Sequence, residues 1–238
     1  MTQPRTDPTD DQLLGHARRL SLEFSGRAAE FDLARKLGQD ASDAMAQAGF
    51  YRLFVPQYLG GLEASPLVSA QIFERLAQGN ASCGWVAFIA ATSGSTLASI
   101  PKDTARAIFN HPNTMIAGVF APAGKASVNN GEVTVSGRWQ WGSGTQNANW
   151  ILGGTLVRAG DSKPSQHMIL MPAEQIDFLD NWHVSGLQGT GSIDYEVSNL
   201  TLPDSHIVGF GEQRPPRTPL YQFPQFTLLA IGIGAVAL

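Results

Sequence analysis

Leu13, Ala17, Leu20, Phe24, Ala28 and Phe31 recur at spacings of three and four. That is the period of one apolar helical face, and it predicts a single amphipathic helix after a polar start ending near residue 10. Asp40 and Asp43 resemble a start signal for a short helix over residues 41–48, closed by Gly49 with its freedom to take positive φ. The next stretch, GFYRLFVPQYLGG, is broken by Pro56 and ends in paired glycines, so it is predicted extended or looped. Ser65 and Pro66 make an N-cap and first-turn pair for a helix through Val68, Ile72, Leu76 and Ala77. Residues 81–100 are small and apolar on all sides, as in a helix buried on several faces. Pro101 with Asp103 opens one more short helix, which HPN at 111–113 breaks.

From Met115 the period changes to that of strands. MIAGVF, KASVNNGEVTVSGRWQW, WILGGTLV, HMILMP, IDFL and IDYEVSNLTL follow at short intervals, with Asn130-Gly131 as a tight hairpin turn. Strand runs without intervening helices predict an antiparallel sheet or barrel. The expected organisation is α+β and multidomain. It comprises a disordered start at 1–10, an all-α domain at 11–113, an antiparallel β-barrel at 114–212, and a proline-rich linker with a final helix at 213–238.

Composition narrows the function classes. Among 238 residues, 43% are hydrophobic and 15% charged, well below the roughly 25% charged of an average domain. Sixteen Lys and Arg against 20 Asp and Glu give a net charge of −4, with no basic stripe for a polyanion, so a nucleic-acid partner is not expected. The single cysteine, Cys83, excludes an intramolecular disulfide and a thiolate cluster and reads as a packed small residue; a reducing, cytoplasmic setting is expected. The first residues are polar and acidic rather than signal-like. Residues 226–238 form an apolar run of 13, against about 20 for a membrane span, so no membrane partner is expected and the run reads as a helix cut short.

Hydrolase, nucleotidase and zinc-protease signatures are absent: there is no HExxH, GxSxG, GxxxxGK[ST] or suitably placed GxGxxG. His16, His111, His167, His183 and His206 are scattered without i, i+3 or i+4 pairing, which predicts no metal site. The informative stretch is SGRWQWGSGTQNANW, at 136–150. Period two places Trp139 and Trp141 on one face, with Ser143 following. Two readings fit that face. It can hold a flat ring with a hydroxyl at its edge, as a planar cofactor requires, or the two tryptophans simply fill the β-core.

Four strings resemble the acyl-CoA dehydrogenase superfamily, and more closely its flavin-dependent monooxygenase branch, the group of p-hydroxyphenylacetate hydroxylases and dibenzothiophene monooxygenase. They are AGFYRLFVPQYLGG (48–61), AGVFAPAGKASVNNGEVTVSGRWQWGSG (117–144), DNWHVSGLQGTGS (180–192) and VSNLTLPDSHIV (197–208). The resemblance implies an N-terminal helical domain, a middle β-barrel and a C-terminal four-helix bundle, of which FPQFTLLAIGIGAVAL is similar only to the opening. It implies a flavin, FMN or FAD, supplied reduced by a separate flavin reductase, a small aromatic or heterocyclic substrate, and a homo-oligomer, a tetramer in the family.

Carried over onto this chain, the resemblance sets Trp141 and Ser143 against the isoalloxazine, with Phe120, Ala121 and Pro122 lining the ring from the neighbouring strand. Phe120 and Ala121 stand where dehydrogenases usually have Thr-Glu, which favours the monooxygenase branch. Gln188 stands where that branch often has Arg. Trp85 and Phe88 could face the substrate, or could be core. No catalytic residue is assigned, because the resemblance places such groups in the bundle. Two alternatives stay open: an acyl-CoA dehydrogenase, and a non-catalytic fragment or scaffold.

Overall fold

Thr9 opens the first helix. Its Oγ accepts from Gln12 N–H while the Gln12 side chain accepts from Thr9 N–H, a reciprocal cap that satisfies two end donors. The computed structural model describes residues 7–111, 113–209, 211 and 218–237. Of the expected disordered start at 1–10, residues 1–6 lie outside the described residues, as do residues 212–217 of the expected linker, whereas Thr9 and Asp10 already cap and open the first helix.

The single long helix expected from Leu13 to Phe31 is two, α1 (Asp10–Ser25) and α2 (Ala28–Ala34). Arg27 leaves helical geometry at the break and forks onto Glu30 and Asp40. Phe24 and Phe31 still meet edge to face at 5.9 Å, so the apolar stripe continues across the break. The Asp40 carboxylate does not cap α3 (Gln39–Gln47); Gly38 takes that position, and the Arg27 guanidinium holds Asp40 below the usual carboxylate range. Gly49 does adopt the left-handed turn, at φ 90°. Ser65 caps α4 (Pro66–Gly79), and Asn80 caps α5 (Ala81–Gly94), whose buried residues lie on all sides. After α6 (Lys102–Ile108), the chain enters the sheet.

The strands are β1 (Ile116–Asn129), β2 (Glu132–Gly142), β3 (Trp150–Ala159), β4 (Ser165–Pro172), β5 (Asp177–Leu179), β6 (Ile193–Pro203) and β7 (Ile207–Val208). They form one sheet in the order β5-β6-β2-β1-β3-β4-β7. Asn130 and Gly131 both take positive φ, the hairpin geometry expected of Asn-Gly. The sheet is mixed rather than wholly antiparallel, because β3 returns alongside β1 in parallel. Periodicity reports which face a residue takes, not which strand it pairs with. Residues 120–123 of β1 bulge out opposite Gly154, so two expected strands, MIAGVF and KASV, are one bent strand.

Strands from both edges, through Ile207 of β7 and Ile176 beside β5, share one core with Trp139 and Tyr195, so the sheet curls around a single centre. A second core joins α1 to α5 with α7 (Pro219–Gln222) and α8 (Gln225–Ala237). A third, with Val55, Leu97 and Ile108 meeting Ile116, Leu152 and Leu170, welds helices to sheet. No helix among the described residues is long and apolar enough to cross a membrane.

Candidate functional site

The two tryptophans of WQW do not share a face. Trp139 is fully buried, stacks on Tyr195 at 5.2 Å and donates Nε1–H to the Gly154 carbonyl at 2.7 Å. Gly124, Gly137 and Gly153 make room for its ring: a Cβ on any of them would come within 2.9 Å of an indole atom. Trp141, two residues on, is 69% exposed. Its φ is +61°, and the β2–β6 ladder slips between Trp139 and Gly142, which turns the strand over and overrides the alternation. Such a backbone is uncommon for a bulky residue. It is held by Asp194, a buried carboxylate that accepts the Trp141 N–H at 3.3 Å and Arg138 Nη2 at 3.0 Å.

Trp141 therefore stands between two hollows. One, of about 320 Å³, is walled by Trp85, Trp141, Trp182 and Leu187, with Ser143, Thr190 and Ser192 as its polar floor. The other, of about 410 Å³, is lined by Val119, Ala121, Ala123, Arg138 and Gln140. The floor is a chain of hydrogen bonds. Trp85 Nε1 donates to Ser143 Oγ at 2.9 Å, Ser143 Oγ meets Ser192 Oγ at 2.7 Å, and Ser192 Oγ meets Thr190 Oγ1 at 2.6 Å. The Gly144 N–H donates to the Thr190 carbonyl at 2.8 Å and so fixes the two segments together.

The segment carrying Trp182 to Ser192 is clamped to the helices. Arg35 at the end of α2 forks onto Asp180 at 2.6 and 3.1 Å and donates to the Trp182 carbonyl at 3.1 Å. Its guanidinium holds the Asp180 carboxyl below the usual carboxylate range. Trp182 Nε1 donates to the Gln188 carbonyl at 3.0 Å, a use of Gln188 that needs no charge. Gly189 lies so close to Phe31 and Ser82 that a Cβ there would sit about 3 Å from both.

None of the residues lining the first hollow is ionisable. It offers aromatic faces and neutral hydrogen bonds, with no carboxylate or imidazole to exchange protons. No group of three metal-ligating side chains occurs among the described residues. Cys83 is buried, and burial pushes its thiol well above the ordinary range, as a packing residue requires.

Of the residues singled out in the sequence, Trp85, Trp141 and Ser143 come together in one hollow and Ala121 lies in the other. Phe120, partly buried, packs against the core between helices and sheet, and Pro122 is exposed on the bulge. Phe88 is buried, edge to face with Phe73 and Trp85, and is core rather than wall. The sequence pattern does not single out Trp182, Leu187, Thr190 or Ser192 individually. Their sequence signal is the string DNWHVSGLQGTGS at 180–192, in whose glycine-rich end two hydroxyl residues, Thr190 and Ser192, flank Gly191.

Residues 8–106 match the acyl-CoA dehydrogenase N-terminal domain. Over 214 residues the chain is 31% identical to an indole-3-acetate monooxygenase of Pseudomonas putida, covering 87% of this chain and 55% of that one. It is 28% identical over 251 residues to the oxygenase component of an FADH2-dependent resorcinol hydroxylase of Rhizobium sp. (strain MTP-10005), covering 98% and 61%. Among solved structures, the HsaA monooxygenase of M. tuberculosis superposes with a TM-score of 0.87 at 27% identity, covering 96% of this chain and 62% of that one. The chain thus spans a little over half the length of the curated relatives it matches.

Proposed function

We propose that the chain belongs to the acyl-CoA dehydrogenase superfamily, on the side of its flavin-dependent monooxygenases, and that it carries the flavin-facing part of a two-component monooxygenase acting on an aromatic or heterocyclic small molecule. A separate reductase supplies the flavin, FMN or FAD, in reduced form. The protein works as a homo-oligomer in the cytoplasm.

The observation that carries this reading is Trp141, held exposed between two hollows by a left-handed backbone, with a neutral hydroxyl at its foot. A flat, three-ring heterocycle fits that arrangement. The indole offers a face for stacking, Ser143 offers a hydrogen-bond partner at the ring's edge, and Ala121 leaves space beyond. Bound reduced flavin supplies the electrons that activate O2, so the hard chemistry belongs to the cofactor. The chain's own residues orient and shield. Trp85, Trp182 and Leu187 close the hollow with apolar surface and keep water from the reacting centre. The absence of an ionisable side chain on its walls denies stray protons a local donor.

The test is anaerobic titration of the 238-residue chain with FMN and FAD, oxidised and reduced, followed by fluorescence and calorimetry. Saturable binding that Trp141→Ala weakens at least ten-fold supports the reading. A folded chain that binds neither flavin in either state overturns it.

A further inference from the structure

The hydrogen-bond chain beneath Trp141 has a direction. At one end the Trp85 Nε1–H can only donate, and it donates to Ser143 Oγ. At the other end the Leu187 carbonyl can only accept, and Thr190 Oγ1 donates to it at 2.8 Å. Between them, Ser143 to Ser192 and Ser192 to Thr190 are bonds in which either oxygen could be the donor. Each hydroxyl supplies one hydrogen. Three hydroxyls therefore make all three of these bonds in only one arrangement: Thr190 donates to Leu187, Ser192 to Thr190, and Ser143 to Ser192.

No hydroxyl hydrogen is then left for the hollow. Ser143 has two acceptor positions, one filled by Trp85, and presents the other outward. For Ser143 to donate outward, both serines and Thr190 must rotate together. The Thr190–Leu187 hydroxyl bond is then lost, and Leu187 keeps only the Thr190 backbone N–H at 3.0 Å.

We propose that this one-way chain, terminated by Thr190, makes the site select reduced over oxidised flavin, an inference that rests on the flavin reading above. Reduced isoalloxazine carries a hydrogen on N5 and is a donor there, whereas oxidised isoalloxazine has a bare N5 and is an acceptor. A ring edge set against Ser143 meets a lone pair, which suits the donor and rejects the acceptor. Thr190 and Ser192 are positioning residues: they act through Ser143. The consequence suits a protein that receives flavin reduced and must give it up oxidised.

The experiment measures the dissociation constants of reduced and oxidised FMN and FAD for the full chain, anaerobically, and compares their ratio across variants. The wild type binds reduced flavin more tightly. Thr190→Val removes the terminal donor and acceptor, freeing Ser192 to donate to Ser143 and Ser143 to donate outward. The preference for reduced flavin then falls about five-fold, the worth of one net hydrogen bond. Ser192→Ala, which strands the Ser143 hydrogen, falls similarly and carries the test if Thr190→Val does not fold. Thr190→Ser keeps the wild-type ratio. With N5-labelled oxidised flavin, Thr190→Val also moves the nitrogen resonance in the direction of an accepted hydrogen bond.

A ratio within two-fold of wild type in both Thr190→Val and Ser192→Ala, with flavin bound, overturns the proposal and leaves the flavin reading intact. So does a Thr190→Ser ratio that drops with Thr190→Val. Failure of the wild type to bind either flavin overturns the flavin reading itself.

Discussion

Trp85 and Ser143, 58 residues apart, are joined by an indole N–H to hydroxyl hydrogen bond of 2.9 Å, and this contact carries the helices into the floor of a sheet-borne hollow. Removing either partner should cost about 1 kcal/mol, with the two losses not adding. Urea unfolding of Trp85→Phe, Ser143→Ala and the double variant measures the coupling. Additive losses would mean that the contact contributes nothing to stability.

Trp141 should be better for binding than for folding. Its side chain is largely exposed, so little packing is lost on truncation, while its positive φ is a conformation glycine adopts without steric cost. Trp141→Gly is expected to leave thermal stability unchanged or raise it by up to about 1 kcal/mol, and to abolish flavin binding. A melting curve and a titration on the same preparation decide it. A marked fall in stability would show that the indole is a structural support.

The clamp on the 180–192 segment should open in acid. Asp180 is held below its ordinary value by Arg35. A depressed carboxyl contributes stability above its unfolded pKa, about 3.9, and loses it as the pH falls through the lower folded value. Protection of the 180–192 amides, measured as exchange relative to the intrinsic rate at each pH, should therefore fall below about pH 4 in the wild type. In Asp180→Asn that protection should be lower at neutral pH and change less over the same range. Equal pH profiles in the two proteins would refute the assignment.

Gly232 of α8 lies against Phe88, and a Cβ there would fall 2.0 Å from the ring. Gly232→Ala should destabilise the chain by about 1–3 kcal/mol through overpacking. Phe88→Leu should lower stability and leave flavin affinity within two-fold. A large affinity loss in a folded Phe88→Leu would restore the residue to the binding wall.

Local signals were readable and long-range ones were not. The Ser65-Pro66 helix start, the turn at Gly49 and the Asn130-Gly131 hairpin depend on a few adjacent residues, and each forms as expected. The break between α1 and α2 depends on Arg27 finding Asp40, 13 residues away. The parallel pairing of β1 with β3 is a choice of partner that alternation does not encode. In the site, the resemblance led to Trp141 and Ser143, but strand alternation put Trp139 beside them. Asp194 is 53 residues from Trp141, and without knowledge of that contact nothing announces that the strand turns over. Thr190 and Ser192 escaped notice for the same reason: a hydroxyl has no distinctive spacing until the fold brings it to another.

The cage around Trp139 also limits how this protein can diverge. Gly124, Gly137 and Gly153 come from three successive strands, β1, β2 and β3, and each is small because one indole occupies the space its side chain would fill. Any one of them enlarged alone collides, and Trp139 reduced alone leaves a void against Tyr195. The four positions can drift only as a set, so the neighbourhood of Trp141 inherits a nearly frozen foundation, and new specificities have to be written on the rim above it.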